Sequence, residues 1–132
     1  MVRGRLTGEV GKGLLVFFCA QKGDDLQKAR KLASRIVRFR VFPNELGRMD
    51  KNLTEAGGAL LVVSQFTLGA DTSHGLRPGF DAVAPFDEGK SLYEGFVAAL
   101  SENGASVQTG IYGEDMQVSL VNDGPVTFSL TA

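Results

Sequence analysis

Residues 64–68, Ser-Gln-Phe-Thr-Leu, carry the side chains that are best suited to chemistry in this chain. They place two hydroxyls and an amide at the end of a long apolar run. Backbone N–H groups at the end of a strand can lack a partner, and such groups can hold an oxyanion. Ser64, Gln65 and Thr67 are therefore candidate site residues. The alternative interpretation is a strand that simply runs into solvent.

Residues 122–127, Asn-Asp-Gly-Pro-Val-Thr, form a second polar segment, between two stretches of alternating apolar and polar residues. The Gly124-Pro125 pair at its centre is interpreted by default as an ordinary trans turn, because cis bonds are only about 5–6% of X–Pro bonds in folded proteins. A cis bond would instead turn adjacent carbonyls to the same side, where they could form a rigid polar wall for a small ligand.

The usual catalytic constellations are almost absent. A Ser–His–Asp relay would have to use His74, the only histidine, and we expect this residue to be an exposed loop side chain. Cys19, the only cysteine, lies within an apolar run and is expected to be a core residue rather than a nucleophile. The sequence therefore predicts no metal and no cofactor. An enzyme built on this chain would work with backbone groups, hydroxyls and a reactive group of its substrate.

Length and charge restrict the class of protein further. The 132 residues predict one domain, and 14 Lys and Arg against 15 Asp and Glu give a net charge of −1. This balance excludes a strongly basic nucleic-acid coat protein and an acidic tail protein. The single cysteine favours a reducing compartment, and no apolar stretch approaches the roughly 18 residues of a membrane span, so we expect a cytoplasmic protein.

The elements that must position the two polar segments follow from periodicity. We predict a mixed α/β domain, a sheet or barrel-like arrangement of about six strands with two main helices and a mostly antiparallel C-terminal end. The first helix is expected to begin near Asp24–Asp25, with Leu26, Ala29, Ala33, Ile36 and Val37 as its inward stripe. Asp87 is expected to cap a second helix that ends at Asn103-Gly104, and residues 44–57 and 69–87 are expected to be loops. The expected strands, the first of them weak, are 6–10, 14–20, 41–42, 59–68, 107–112, 116–122 and 126–131.

The first predicted helix has a basic face. Lys28, Lys31, Arg35 and Arg38 are spaced three, four and three residues apart, and no acidic residue lies between Leu26 and Asn44. This face is either an ordinary solvated surface or a stripe that contacts phosphates.

The two polar segments together resemble the signature motifs of the D-aminoacyl-tRNA deacylases, also called D-tyrosyl-tRNA deacylases. The resemblance is collinear over most of the chain, and both motifs in this order are highly specific. Further residues that fit the family pattern are Gly11-Lys12-Gly13-Leu14-Leu15-Val16, Lys22-Gly23-Asp24, Gly57-Gly58, Gly75, Arg77-Pro78, Phe80 and Val118-Ser119-Leu120-Val121.

The resemblance implies a homodimeric hydrolase that cleaves the ester between a D-amino acid, or glycine mischarged on tRNA-Ala, and the 3′-terminal adenosine of tRNA. Backbone N–H groups near Gln65 and Phe66 would hold the ester carbonyl, and Thr67 would position the substrate. Met116 would line the adenosine pocket. A cis Gly124-Pro125 bond would reach the partner's site and exclude L side chains.

Members of this family usually begin with a further strand of about a dozen residues that carries a Gln-Arg pair. This chain starts at Met1-Val2-Arg3-Gly4, so residues 1–132 are expected to form a single deacylase-like domain without that strand. Three hypotheses follow: a tRNA-editing esterase, a non-catalytic relative that binds tRNA or another ligand, and an unrelated hydrolase that uses Thr67 or Ser64.

Overall fold

The two apolar runs of the sequence form neighbouring strands of a parallel sheet in a computed structural model, which describes residues 1–132. The chain has five strands and two α-helices, and a 3-10 turn, Phe66–Gly69, follows the fourth strand. The elements in chain order are β1 (Gly13–Phe18), α1 (Leu26–Arg38), β2 (Phe42–Pro43), β3 (Met49–Lys51), β4 (Ala59–Ser64), α2 (Phe86–Glu102) and β5 (Val107–Thr109).

The main sheet has the order β1-β4-β5, and all three strands are parallel. The register between β1 and β4 runs from the pair Gly13 and Ala59 to the pair Phe18 and Ser64. Because parallel strands end at the same edge of a sheet, the polar segment after Ser64 lies at the edge where α1 and α2 begin. The strands β2 and β3 form a separate antiparallel hairpin.

Helix α1 forms where periodicity predicts it. Asp25 caps it by accepting a hydrogen bond of 2.8 Å from the backbone N–H of Lys28. Ala29, Ala33, Ile36 and Val37 of the predicted inward stripe are buried, whereas Leu26, its first member, is 42% exposed.

The prediction that Asp87 caps the second helix is wrong, because α2 begins at Phe86. Pro85 precedes its first turn and offers no capping side chain, and Asp87 lies inside that turn beside Glu88. The predicted end at Asn103-Gly104 is confirmed: α2 stops at Glu102, and Gly104 adopts a positive φ of 90°.

The two helices share one core with side chains of β1 and β4, so they cover the same face of the sheet. Phe96 of α2 is fully buried and stacks on Phe18 of β1 with ring centroids 4.5 Å apart. Tyr93 donates a buried hydrogen bond of 2.9 Å to the carbonyl of Val62. These contacts fix the strands whose ends carry the polar segment.

The mixed α/β class is confirmed, but several strand predictions are wrong. Residues 6–10, 116–122 and 126–131 form no strand, so the predicted antiparallel C-terminal end does not form, and the last strand, β5, pairs in parallel with β4. Alternation marks an extended segment with two different faces, whereas a strand also needs a partner backbone, and no backbone–backbone hydrogen bond lies beyond Gln117. Conversely, one strand is not predicted: β3 forms within residues 44–57, which are expected to be a loop.

Candidate functional site

The candidate site begins where the chain leaves β4. The strand prediction extended to Leu68, but β4 ends at Ser64 and the chain turns into a 3-10 turn. Gly69 closes this turn in a buried position where an added Cβ would lie 2.8 Å from Val83 Cγ2 and 3.0 Å from Cys19 Sγ. Only glycine fits at this position without displacing the side chains of Val83 and Cys19.

Two consecutive backbone N–H groups are free in this turn. The N–H of Gln65 donates a hydrogen bond of 2.7 Å to the carbonyl of Phe18, which extends the ladder between β1 and β4. The N–H groups of Phe66 and Thr67 have no hydrogen-bond partner, and both residues are exposed. The family resemblance implies donors near Gln65 and Phe66, whereas in the structure the N–H groups of Phe66 and Thr67 are available. Two such donors can hold a developing oxyanion.

The side chain of Thr67 is held by its neighbour but not activated. Gln65 Nε2 donates to Thr67 Oγ1 at 2.6 Å. No carboxylate or imidazole forms a hydrogen bond with this hydroxyl, so no base is present to deprotonate it. The arrangement favours Thr67 as a positioning group over Thr67 as a nucleophile.

Cys19 lies directly behind the turn. Its thiol donates to the carbonyl of Phe66 at 3.4 Å. Burial is the largest effect on the Cys19 thiol and raises its pKa. The backbone of Gly69 partly opposes this shift, and the negative charge of Asp24 adds a smaller increase. A protonated thiol is a poor nucleophile. Cys19 therefore supports the shape of the turn.

The long loop after the 3-10 turn also borders the site. Phe80 packs against Phe66 with ring centroids 5.2 Å apart, and Asp71 and Gly79 exchange backbone hydrogen bonds of 2.7 and 2.9 Å. The hydroxyl of Ser73 lowers the pKa of Asp71. His74 is exposed in this loop. The pairing of Phe66 with Phe80 is a feature that sequence reasoning missed, because 13 intervening residues carry no periodic signal.

The second polar segment is organised by Asn122. Its Nδ2 donates to Thr127 Oγ1 at 2.9 Å, and its Oδ1 accepts from the N–H of Val126 at 3.1 Å. The Gly124–Pro125 peptide bond is cis, and Gly124 has a φ of 136°. No hydrogen bond joins this loop to residues 64–67 of the same chain. The single chain thus does not bring the two predicted segments together by hydrogen bonding.

Met116 lies over Gly110, where an added Cβ would collide with its Sδ. It lines an open hollow together with Met1, Arg3 and Glu114. Arg3 and Glu114 form an ion pair of 3.1 Å across this hollow. Sequence reasoning missed that pair, because its partners lie at opposite ends of the chain.

Neither a metal cluster nor a membrane helix is among the described residues. No group of three or more His, Cys, Asp and Glu side chains could hold a metal ion. Neither α1 nor α2 combines the length and the apolar character that a membrane-spanning helix needs.

Comparison with known proteins decides the family. The model of the D-Tyr-tRNA(Tyr) deacylase family matches residues 1–131. This chain belongs to that family. A protein of Ruegeria sp. (strain TM1040) named D-aminoacyl-tRNA deacylase is 53% identical over 129 residues, which cover 98% of this chain and 83% of the relative. A protein of Shewanella sediminis with the same name is 54% identical over 129 residues, covering 98% and 89%. Both relatives carry the name of the family that the sequence motifs resemble, which confirms the resemblance.

Solved structures share the fold. The c-Myc DNA Unwinding Element Binding Protein superposes with a TM-score of 0.92 at 29% identity, covering 100% of this chain and 90% of its own. A probable eukaryotic D-amino acid tRNA deacylase superposes with a TM-score of 0.67 at 16% identity, covering 80% and 77%, and that similarity concerns the fold alone.

Proposed function

We propose that this chain hydrolyses the ester between a D-amino acid and the 3′-terminal adenosine of tRNA, as the names of its relatives indicate for those proteins. The observation that carries the proposal is the pair of unpartnered N–H groups at Phe66 and Thr67, exposed at the end of β4. An ester carbonyl placed there would gain two donors as negative charge develops on its oxygen.

In the proposed reaction, water adds to the ester carbonyl and the bond to the ribose oxygen breaks, which releases the free amino acid and tRNA. Thr67, oriented by Gln65 at 2.6 Å, positions the ester. The 2′-hydroxyl of the substrate's own ribose assists the attack, because the turn offers no basic side chain to do so. Ser64 lies at the strand end beside this position, and Met116 lines the adenosine pocket.

Selectivity requires a second copy of the chain in this proposal. The Gly124-Pro125 segment of one copy reaches the site of the other, and its carbonyl groups occupy the space that an L side chain would need. Glycine, which has no side chain, is then cleaved as well. Exposed apolar side chains of the C-terminal region support a homodimer, since exposed apolar surface often marks interfaces. They are Leu120, Val121, Val126 and Phe128.

The activity is tested with purified protein and three substrates: tRNA charged with D-tyrosine, tRNA charged with L-tyrosine, and tRNA-Ala charged with glycine. We expect release of D-tyrosine and glycine while the L-tyrosyl ester stays intact. Cleavage of both tyrosyl esters at equal rates would contradict the selectivity. Binding of charged tRNA without cleavage would identify a non-catalytic relative instead.

The role of Thr67 is tested by Thr67→Ala, which is expected to slow the reaction without abolishing it. Complete loss of activity in Thr67→Ala, restored by Thr67→Ser, would identify a nucleophilic hydroxyl and an unrelated hydrolase mechanism.

The dimer is tested at Val121, whose side chain is 91% exposed in the single chain. We expect Val121→Asp to produce monomers in sedimentation experiments and to lose activity, because it buries an unpaired charge in the interface. Leu46→Asp is the matched control, since Leu46 is 79% exposed at the tip of the β2–β3 hairpin. A dimeric Val121→Asp variant would remove this surface from the interface.

A further inference from the structure

The solvent face of α1 is strongly basic and has no acidic residue. The helix contains Lys28, Arg30, Lys31, Arg35 and Arg38, and all five side chains are exposed. The neighbouring helix α2 has the opposite character, with four carboxylates and one lysine, all exposed as well. The two helices pack against the same face of the sheet, so this contrast lies on one side of the molecule.

The fold does not require this charge. The helix macrodipole favours basic residues only in the last turn, where Arg35 and Arg38 lie, and disfavours them at the start, where Lys28 lies. Of the five side chains, Lys28 alone has an ion-pair partner, Asp24 at 3.5 Å. The other four form none of the ion pairs in the structure. Their charges are therefore available to a partner.

The position of α1 connects this face with the candidate site. The helix begins at the sheet edge where β4 ends, and Lys28 and Arg38 are ten residues apart, which corresponds to about 15 Å along the helix axis. At the far end, Arg35, Arg38 and Arg40 surround a shallow hollow beside Phe39. The guanidinium of Arg35 lies over the Phe39 ring, 5.7 Å from its centroid. A row of cations thus leads away from the candidate site along one helix.

We propose that this face of α1 binds the phosphate backbone of the tRNA body while the 3′ end occupies the candidate site. The proposal rests on the function proposed above, because that function makes RNA the partner at the end of β4. Lysine and arginine at exposed positions neutralise phosphates without reading sequence. The guanidinium groups add bidentate contacts to phosphate oxygens. The acidic face of α2 repels the same backbone, so RNA is directed along α1.

The test compares two substrates in one set of variants. The long substrate is tRNA charged with a D-amino acid, and the short one is the same D-amino acid esterified to adenosine, which is too small to reach α1. The main variant carries Lys31→Ala, Arg35→Ala and Arg38→Ala. A control variant adds Glu88→Gln, Glu94→Gln and Glu102→Gln on α2, which restores the net charge of the parent without restoring the basic face.

For the long substrate we expect the KM of the main variant to rise about tenfold near 0.15 M salt, with kcat unchanged, since several phosphate contacts are lost. The slope of log affinity against log salt should fall by about one for each contact removed. Cleavage of the short substrate should stay at the parent rate. The charge-restored control should remain impaired, because the effect is local.

Three results would overturn the inference. One is an unchanged KM of the main variant for charged tRNA, and another is full recovery in the charge-restored control, which would assign the effect to net charge. The third is equal impairment with the short substrate, which would mean damage to the site itself. The two proposals can also fail separately. If the parent protein cleaves the short substrate and the α1 substitutions do not change the KM for charged tRNA, the proposed function stands and only this inference is removed. Failure of the parent protein on both substrates would remove the proposed function together with it.

Discussion

Helices α1 and α2 occupy equivalent places, since each connects two parallel strands and both cover the same face of the sheet. They fill these places in different ways. Helix α2 contributes the large core side chains Tyr93, Phe96 and Leu100, whereas α1 contributes two alanines along with Ile36 and Val37. The solvent faces carry opposite charge. Packing against the sheet restricts only the inner face of a helix, so a difference in the outer face reflects something other than the fold.

The largest expected loss of stability comes from the inner face of α2. Phe96→Ala should lower the free energy of unfolding by about 3–5 kcal/mol, because it leaves a cavity where the ring stacks on Phe18. Ile36→Val on α1 should cost only about 0.5–1.5 kcal/mol. Urea denaturation with a common m-value measures both. A loss below about 2 kcal/mol in Phe96→Ala would contradict the dominant role of this ring in the core.

The next largest effect on stability is expected at the N-termini of the two helices, which are capped differently. Asp25→Ala should cost about 1 kcal/mol, because the Lys28 N–H loses its capping acceptor. Asp25→Asn is the control, since it keeps a capping oxygen. At the start of α2, which has no side-chain cap, Asp87→Asn should cost about 0.3–1 kcal/mol through the helix dipole, an effect that salt reduces. Insensitivity of the Asp87→Asn effect to salt would contradict this distinction.

Only α2 is tied to the sheet by a buried side-chain hydrogen bond. Tyr93→Phe should cost about 0.5–1 kcal/mol at neutral pH, because the carbonyl of Val62 also accepts from the N–H of Gly110 at 3.4 Å. Burial raises the pKa of Tyr93, so its contribution is complete below the unfolded pKa of about 10 and is lost as pH rises through the folded value. Stability curves of parent and variant should therefore converge in alkali, and a constant difference would contradict this.

The smallest effect is expected where the two helices touch. Gly95 of α2 lies against Leu26 of α1, and an added Cβ would meet the tip of that half-exposed side chain. Leu26 can rotate away, and alanine favours the helix over glycine by about 1 kcal/mol, so Gly95→Ala should leave stability unchanged or raise it slightly. Loss of more than about 1 kcal/mol would show that the helices cannot adjust at this contact.

The helices and all six residues of β4 are predictable from the sequence, because their apolar patterns are strong and local. The C-terminal alternation of residues 116–131 is equally regular, yet it forms no strand, since pairing depends on a partner backbone that periodicity does not report. β3 was missed for the converse reason. Residues Met49–Lys51 show no apolar pattern, and they form a strand because the hairpin pairs them with β2.

The candidate site could be located from the sequence but not specified in detail. The hydroxyls and the amide of residues 64–67 mark it directly. Which N–H groups are free depends on the register between β1 and β4, because that register assigns the Gln65 donor to Phe18. The packing of Phe80 on Phe66 depends on the path of a long loop.

The opposite charges of α1 and α2 also have a consequence at long range. A net charge of −1 suggests a molecule that a polyanion neither attracts nor repels strongly. Separation of the charges onto two helices gives it a dipole moment instead, and a dipole in the field of a polyanion experiences a torque. Diffusing encounters would then occur with α1 foremost, so the orientation of each collision is biased before any contact forms. Added salt would weaken this bias and lower the association rate while the buried core stays the same.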